Sequence, residues 1–513
     1  MEDLSYVFLL FLPILLFHLL KLRSSRPSLS SPPSCGRPLP IVGHLHLIKD
    51  PLQQALTELG SRHGTIYSLR LGSRSCVVVS SPSAIEECFT KNDVVLANRP
   101  RTVAGDRLTY NYSTFAFSPY GHTWRVLRRL SVVEMFSSNR LQNSAALRQE
   151  EIRVFVRELA KLCKSEWQKV DLNYLFSAYG FNLIMRQIAG SRCVAEEEIC
   201  GKLGPENVKR IRGLFFSSVN FGVCDFFPFL RWIGYKGVEK KIISLHEKRD
   251  TYLQGLIDEF KGRDNNGFPE KPSRILIETL LSLKESEPEF YTNDIIKSLL
   301  GTMIIAGTET SAVTMQSAMS LLLSHPDELN KLRQEIDANI GHNRLINEAD
   351  LPNLPYLRCI INETLRLHTT VPLLLPHYSS EQCTVGGYTI PKDTTLLVNA
   401  WGMHRDPQVW DEPHHFKPER FHCMNLEKEI SYKFVPFGVG RRTCPGAGMA
   451  MRTISLALGA FVQCFEWKMV SELAQGVHSK SSPGVILPMP NHLEAFCSPR
   501  HEAADLLQQL CSS

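Results

Sequence analysis

The sequence predicts a mainly helical α+β domain, preceded by a single N-terminal transmembrane helix. Three observations predict it. One long apolar run opens the chain. Helical periodicity with charged outer faces runs through 139–165, 236–262 and 292–340. Strand-like runs are short and lie toward the two ends of the body, at 65–72, 75–81, 383–390 and 394–401. Length alone, 513 residues at about 150 per domain, would suggest three domains. The element pattern instead suits one helix-rich body with small β-sheets.

Composition narrows the function classes. Lys+Arg is 57 against 52 Asp+Glu, a net charge of +5. That excess is slight and forms no basic stripe, so no nucleic-acid partner is expected. Fourteen cysteines are scattered without a CxxC pair. This excludes a disulfide scaffold, a zinc ribbon and a thioredoxin-like motif.

The apolar run covers residues 4–20, interrupted only by Ser5, Pro13 and His18. Its 17 residues span about 26 Å as a helix, at the short end for crossing a bilayer. Glu2 and Asp3 precede it, and Lys21, Arg23 and Arg26 follow it. A cleaved signal peptide, the competing reading, would carry its positive charge in front. The observed bias keeps the following chain in the cytosol. The expectation is therefore a single-pass anchor at 4–21 in the endoplasmic reticulum membrane, with residues 1–3 lumenal. A cytosolic body leaves the thiols reduced, and leaves the sequons at Asn111 and Asn362 unused. Residues 22–43 form a basic, proline-rich hinge, because Pro27, Pro32, Pro33, Pro38 and Pro40 exclude a helix. Residues 44–513 are the cytosolic catalytic domain, with a solvated loop at 261–272.

Six motifs stand out in chain order. Trp124 and Arg128 are spaced i, i+4 and share a helix face. Within a long helix at 292–324, apolar residues surround Ala306-Gly307-Thr308-Glu309-Thr310-Ser311. Threonine back-bonding at a helix bend is one reading of this polar knot. Yet an acid and hydroxyls inside an apolar helix call for a reason. Glu363 and Arg366, at i and i+3, read alone as an ordinary surface ion pair. Pro376-His377 follows that helix, and Phe416-Lys417-Pro418-Glu419-Arg420-Phe421 comes after it. Last is Phe437-x-x-Gly440-x-Arg442-x-Cys444-x-Gly446. Its glycines allow tight turns, and Arg442 can bind a carboxylate. A thiolate held in this loop would face the N-terminus of the next helix, which favours an anion. A buried structural cysteine in a Gly-rich turn is the plain alternative.

Taken together and in this order, the motifs resemble those of the cytochromes P-450, over essentially the whole chain. The resemblance implies a single P-450 fold, haem b as cofactor, and Cys444 as the axial thiolate of its iron. It implies that Arg442, Trp124, Arg128 and His377 contact the propionates, with Phe437, Gly440 and Gly446 shaping the haem loop. Glu363, Arg366 and Arg420 would form a buried charge network that supports the fold. Ala306 would leave room for O2, and Glu309 and Thr310 would be the acid–alcohol pair that delivers protons. Electrons would come from NADPH indirectly, through the flavin-containing NADPH-cytochrome P-450 reductase. Arg125, Arg128, Arg129, Arg441 and Arg452 are candidates for docking it.

The stretches at 401–421 and 306–312 resemble the plant A-type group, and Val398–Pro407, 440–450 and 40–47 its isoflavone-hydroxylase-like branch. This implies a NADPH- and O2-dependent monooxygenase that hydroxylates a small aromatic or phenolic specialised metabolite. Thr369, Thr370, Val371 and Tyr378 depart from the branch and weaken any transfer of substrate from it. Pocket segments are expected at 110–118, 215–229 and 481–487. They bring Phe115, Phe117, Phe215, Phe221 and Val485 to the substrate with Ala306 and Val371. The phenylalanines at 215–229 equally read as core under a loop. Oxidative phenol coupling or ring closure by the same haem, such as benzophenone to xanthone, is the alternative reaction. A reductase-independent hydroperoxide isomerase and a non-catalytic haem-binding protein are further rivals, against which the intact Glu309-Thr310 pair argues.

Overall fold

The computed structural model describes residues 30–163, 166–216, 222–264, 275–422, 432–470 and 493–512. The anchor at 4–21, residues 1–3, the first part of the hinge, Phe221 and Val485 lie outside them.

Fourteen helices of eight residues or more run through the described residues. They are α1 (Leu52–His63), α2 (Pro82–Phe89), α3 (His122–Ser131), α4 (Ala145–Cys163), α5 (Leu172–Ala189), α6 (Leu203–Phe215) and α7 (Val238–Asp264). Then follow α8 (Leu276–Ser286), α9 (Asn293–Gly307), α10 (Glu309–Ser324), α11 (Pro326–Asn339), α12 (Pro355–Leu367), α13 (Ala447–Cys464) and α14 (Ala504–Ser512). Local chemistry sets several boundaries. Asp171 caps α5 by accepting from the Tyr174 N–H at 3.0 Å, and Gly190 ends it at φ 71°. Pro326 and Pro355 open α11 and α12, where a missing N–H costs nothing.

The helix expected over 292–324 is two helices. Thr308 interrupts it at φ −97°, ψ −75°, between α9 and α10. The expected helix at 139–165 also divides, into Ser138–Asn143 and α4. Helix α7 continues to Asp264, into the stretch read as a loop from 261.

Strands β1 (Ile66–Leu71) and β2 (Arg74–Val79) pair antiparallel, with Ile66 opposite Val79. Short β3 (Gln168–Asp171) and β4 (His377–Tyr378) come next. The expected strand at 383–390 is a hairpin of β5 (Cys383–Val385) and β6 (Tyr388–Ile390). Its turn is Gly386-Gly387, with φ of 56° and 79°, a conformation a continuous strand cannot contain. The run at 394–401 gives β7 (Thr395–Val398), after which Ala400–Met403 turns helical. β8 (Phe465–Met469) and β9 (Glu494–Pro499) complete the set. Sheet order is β1-β2-β7-β4, with β7 parallel to β2, and β3-β9-β8. These sheets flank a helical core.

Helix α10 sits at its centre, packed against α5, α12 and α13. Ala312, Met315, Ala318, Met319 and Leu322 on α10 are all fully buried. Burying each of Met315, Met319 and Leu322 contributes about 1.5–3 kcal/mol relative to exposure. Among the described residues one helix, α13, is long and apolar enough to cross a membrane, and it is buried in this core.

Candidate active site

The segment 437–446 folds into a tight loop before α13. The Cys444 N–H donates to the Phe437 carbonyl at 2.8 Å, and the Thr443 hydroxyl donates to Gly438 at 2.9 Å. Gly440 has φ 71°, and a Cβ there would lie 2.6 Å from Asp93 Oδ1. Asp93 needs that space, because it also accepts from Arg441 Nε at 2.8 Å. Gly440 therefore shapes the loop without lining the cavity that the loop borders. Gly446 and Phe437 do line it.

Cys444 opens onto this cavity, of about 580 Å³. Burial pushes its thiol up; the N–H groups of Gly446 and Ala447 and the charge of Arg128 pull it down. The last three influences all favour a thiolate.

Three guanidinium groups line the same cavity, Arg128 close enough for its charge to act on the thiol. Arg442 donates to the carbonyls of Ala97 (2.7 Å), Phe115 (2.9 Å) and Ser118 (2.5 Å), and its Cζ lies 4.8 Å from the Trp124 ring centre. Arg128 donates to Thr443 at 2.5 Å. Arg99, which sequence reasoning missed, donates to Ala116 (3.2 Å), Leu375 (2.8 Å) and Pro376 (2.9 Å). Burial, then repulsion from Arg128, lowers Arg442 to about 9; burial, then Arg442, holds Arg99 well below its usual value. Burial also lowers Arg128. His377 is likewise held neutral by burial and by Arg99, with Nδ1 2.8 Å from the Leu96 carbonyl. Among the described residues no carboxylate pairs with any of the three arginines. One buried and two half-buried cations without an anion are costly alone. They fit a flat group that carries carboxylates and binds a thiolate on its face. Haem is such a group, and the residues present fit it.

Opposite lies the α9–α10 bend, where Ala306, Gly307, Glu309 and Thr310 line the cavity. The Thr308 hydroxyl donates to Ile304 and the Thr310 hydroxyl to Ala306, both at 2.7 Å. The back-bonding read as the plain alternative for this run is thus present, although Thr310 still faces the cavity. Gly307 and Gly180 let α5 approach. A Cβ on Gly307 would lie 2.5 Å from Ile184 Cδ1, and one on Gly180 would lie 3.1 Å from the Thr308 carbonyl. Glu309 is buried, with Oε1 2.9 Å from Arg212 and 3.4 Å from the Ser177 hydroxyl. Its Oε2 has no partner among the described residues. Burial raises its carboxyl above the usual range, against the pull of Arg212. Arg212, on α6, gave no sign in the sequence because nothing local links it to residue 309.

Phe115, Phe117, Phe215 and Val371 line the cavity as expected, with Phe216. Two other described phenylalanines of this stretch do other work: Phe226 packs beneath β1, and Phe229 is exposed. Glu363 and Arg366 are fully buried, so the surface-pair reading fails. Arg366 donates to both Glu363 oxygens at 2.7 and 2.8 Å, and Arg420 to Oε1 at 3.0 Å. None of these three residues lines the cavity. Of the proposed docking arginines, Arg128 turns inward. Arg441 pairs with Asp93 and Arg452 with Glu348, while Arg125 and Arg129 remain exposed.

Comparison with known proteins gives one family. A model described as Cytochrome P450 matches residues 33–493. Cytochrome P450 81Q32 of Catharanthus roseus is 45% identical over 93% of each chain. A (+)-piperitol/(+)-sesamin synthase of Sesamum radiatum is 44% identical over 93% of this chain and 92% of its own. An isoflavone 3'-hydroxylase of Medicago truncatula is 42% identical over 93% and 94%. The fold, the thiol loop and these near-complete likenesses agree: the chain belongs to the cytochrome P450 family of haem-thiolate monooxygenases.

Proposed function

We propose that the protein hydroxylates a small, largely apolar phenolic metabolite, with Cys444 as the thiolate ligand of haem b. Haem so ligated supplies the activation of O2 and the transfer of one oxygen atom to carbon. The chain supplies the rest. Arg99, Arg128 and Arg442 neutralise the propionates, with Trp124 and His377 walling that edge. Glu309 carries protons from water at its Oε2, and Thr310 passes them into the cavity once its hydroxyl turns from Ala306. Phe115, Phe215 and Val371 exclude water and orient the ring. One observation carries this reading: a thiol and a buried acid line the same largely apolar cavity. The substrate class rests on the names of the hydroxylase relatives. NADPH-cytochrome P-450 reductase would deliver electrons on the cysteine side, near Arg125 and Arg129. The anchor at 4–21 would hold the enzyme on the endoplasmic reticulum membrane.

The test is the product mass from the anchored protein, a plant reductase and NADPH, over a panel of phenols. A thiolate-type carbon monoxide difference spectrum serves as control. A gain of one oxygen supports the proposal. Loss of the thiolate spectrum in Cys444→Ser is expected, and its survival would reject the ligand assignment. A product lighter by two hydrogens would instead support the second reading, oxidative coupling or ring closure by the same haem.

A further inference from the structure

The cavity extends well beyond the bend. On α9, Lys297, Ser298, Gly301, Thr302, Ile305 and Ala306 all line it. Their spacing is that of one helix face. Nine residues separate Lys297 from Ala306, so the cavity follows α9 for about 13 Å.

Its chemistry changes at the far end. Lys297 is buried, and its Nζ lies 2.9 Å from both carboxylate oxygens of Asp250 on α7. The Tyr110 hydroxyl donates to the same Oδ1 at 3.0 Å. Against burial, these hydrogen bonds hold the Asp250 carboxyl below its usual range. Burial, then Asp250, raises the Tyr110 hydroxyl, which stays protonated. Arg249 nearby spends Nε and Nη2 on the carbonyls of Leu214 and Phe215. Tyr110 is set there by strained backbone. Tyr110, Asn111 and Tyr112 have φ of 49°, 53° and 62°, and three consecutive non-glycine residues rarely adopt that region. The Tyr112 hydroxyl, bonded to the Thr102 N–H (2.6 Å) and carbonyl (3.0 Å), pins the segment.

Donor arithmetic then decides what this end can hold. Lysine has three N–H donors, and Asp250 takes two of them. Tyr110 gives its proton to Asp250 and keeps its oxygen lone pairs. One donor and one acceptor of this pair remain side by side, with Asp250 offsetting the Lys297 charge; the Arg249 cation, held by backbone carbonyls, lines the same cavity. A hydroxyl accepts from the first and donates to the second. A carboxylate would meet Asp250.

We propose that Lys297 and Tyr110 form a recognition site for a neutral phenolic hydroxyl of the substrate, about two and a half helical turns from the reacting carbon. The inference rests on the monooxygenase reading above and narrows it. The substrate is a two-ring phenol, hydroxylated at one end and oxidised at the other.

The test uses the full-length holoenzyme and two-ring phenols with one free hydroxyl, each paired with its methyl ether. Substrate-induced difference spectra give affinity, and product masses with fragmentation give the ring oxidised. The free phenols are expected to bind at least about tenfold tighter than the ethers, one to two hydrogen bonds' worth. The new oxygen is expected on the ring without the hydroxyl. Lys297→Met and Tyr110→Phe should bring the phenol's affinity down to that of its ether. Their carbon monoxide spectra report whether the thiolate site still forms. Equal affinity of phenol and ether in the unaltered enzyme would overturn the proposal. So would an advantage that survives both variants, oxygen entering the hydroxylated ring, or no spectral shift with any phenol. An enzyme that oxidises ethers and phenols alike keeps the monooxygenase reading and loses this one. An enzyme without a thiolate spectrum loses the monooxygenase reading itself.

Discussion

Glu309 is a carboxyl whose neighbours disagree about its proton. Burial raises its pKa, and Arg212 at 2.9 Å opposes that rise. Arg212→Leu removes the opposing charge, so Glu309 keeps its proton to higher pH. A group with a raised folded pKa contributes stability below its unfolded pKa, and that contribution fades as pH rises through the folded value. Thermal unfolding followed upward in pH from the unfolded carboxyl range should therefore show a loss of stability that extends to higher pH in Arg212→Leu. In Glu309→Gln the contribution is absent, and the slope should flatten. Turnover of Glu309→Gln should fall by roughly a hundredfold, the scale of a lost proton-transfer group. A full rate with unchanged coupling of NADPH to product would remove Glu309 from proton delivery. Arg442 tests the opposite wall. A charge-assisted hydrogen bond contributes about 1.5–3 kcal/mol, so Arg442→Met should release haem roughly ten- to a hundredfold faster. Transfer of haem to apomyoglobin measures that rate.

At the scale of elements, the α9–α10 bend places the chemistry. A straight helix over 292–324 would carry Glu309 and Thr310 onward at the same pitch. The break at Thr308 resets that pitch, and Gly180 and Gly307 let α5 close against it. Valine at 307 would drive its side chain into Ile184, which already lies 2.5 Å from the position of a Cβ. Gly307→Val should destabilise the fold by about 1–3 kcal/mol, as overpacking does, and suppress turnover. Differential scanning calorimetry and the carbon monoxide spectrum separate the two effects. The bend was written into the sequence as a glycine and two threonines in an apolar run. Which residue breaks the helix was not, because the answer depends on the approach of α5.

For the whole molecule, the Glu363 network ties α12 to the loop at 404–420. Arg366 reaches Glu363 and also the carbonyls of His404 and Pro413, both at 2.7 Å. Lys417 N–H and Arg420 complete the carboxylate's partners at 2.9 and 3.0 Å. Glu363→Ala leaves two arginines without their anion, one of them fully buried. The expected cost is about 3–5 kcal/mol, seen as a lost folded yield or a lower urea midpoint. A variant of ordinary stability would show that backbone carbonyls alone can carry these cations.

By itself the sequence determined the fold class, the identity of the thiol loop and the order of the motifs. Those properties are local: periodicity marks a helix, and a cysteine among spaced glycines marks a loop. It also placed Cys444, Arg442, Trp124 and Glu309 at one site through the resemblance of the whole set. Tertiary structure alone decided which groups answer them. Arg99 joins the cationic wall from a loop far from Cys444, and Arg212 reaches Glu309 from α6. Lys297, Tyr110 and Asp250 meet from three separate segments. The sheet β3-β9-β8 likewise joins strands too short and too distant to show a period. Pairings across the chain carry no local periodicity, so only packing could reveal them.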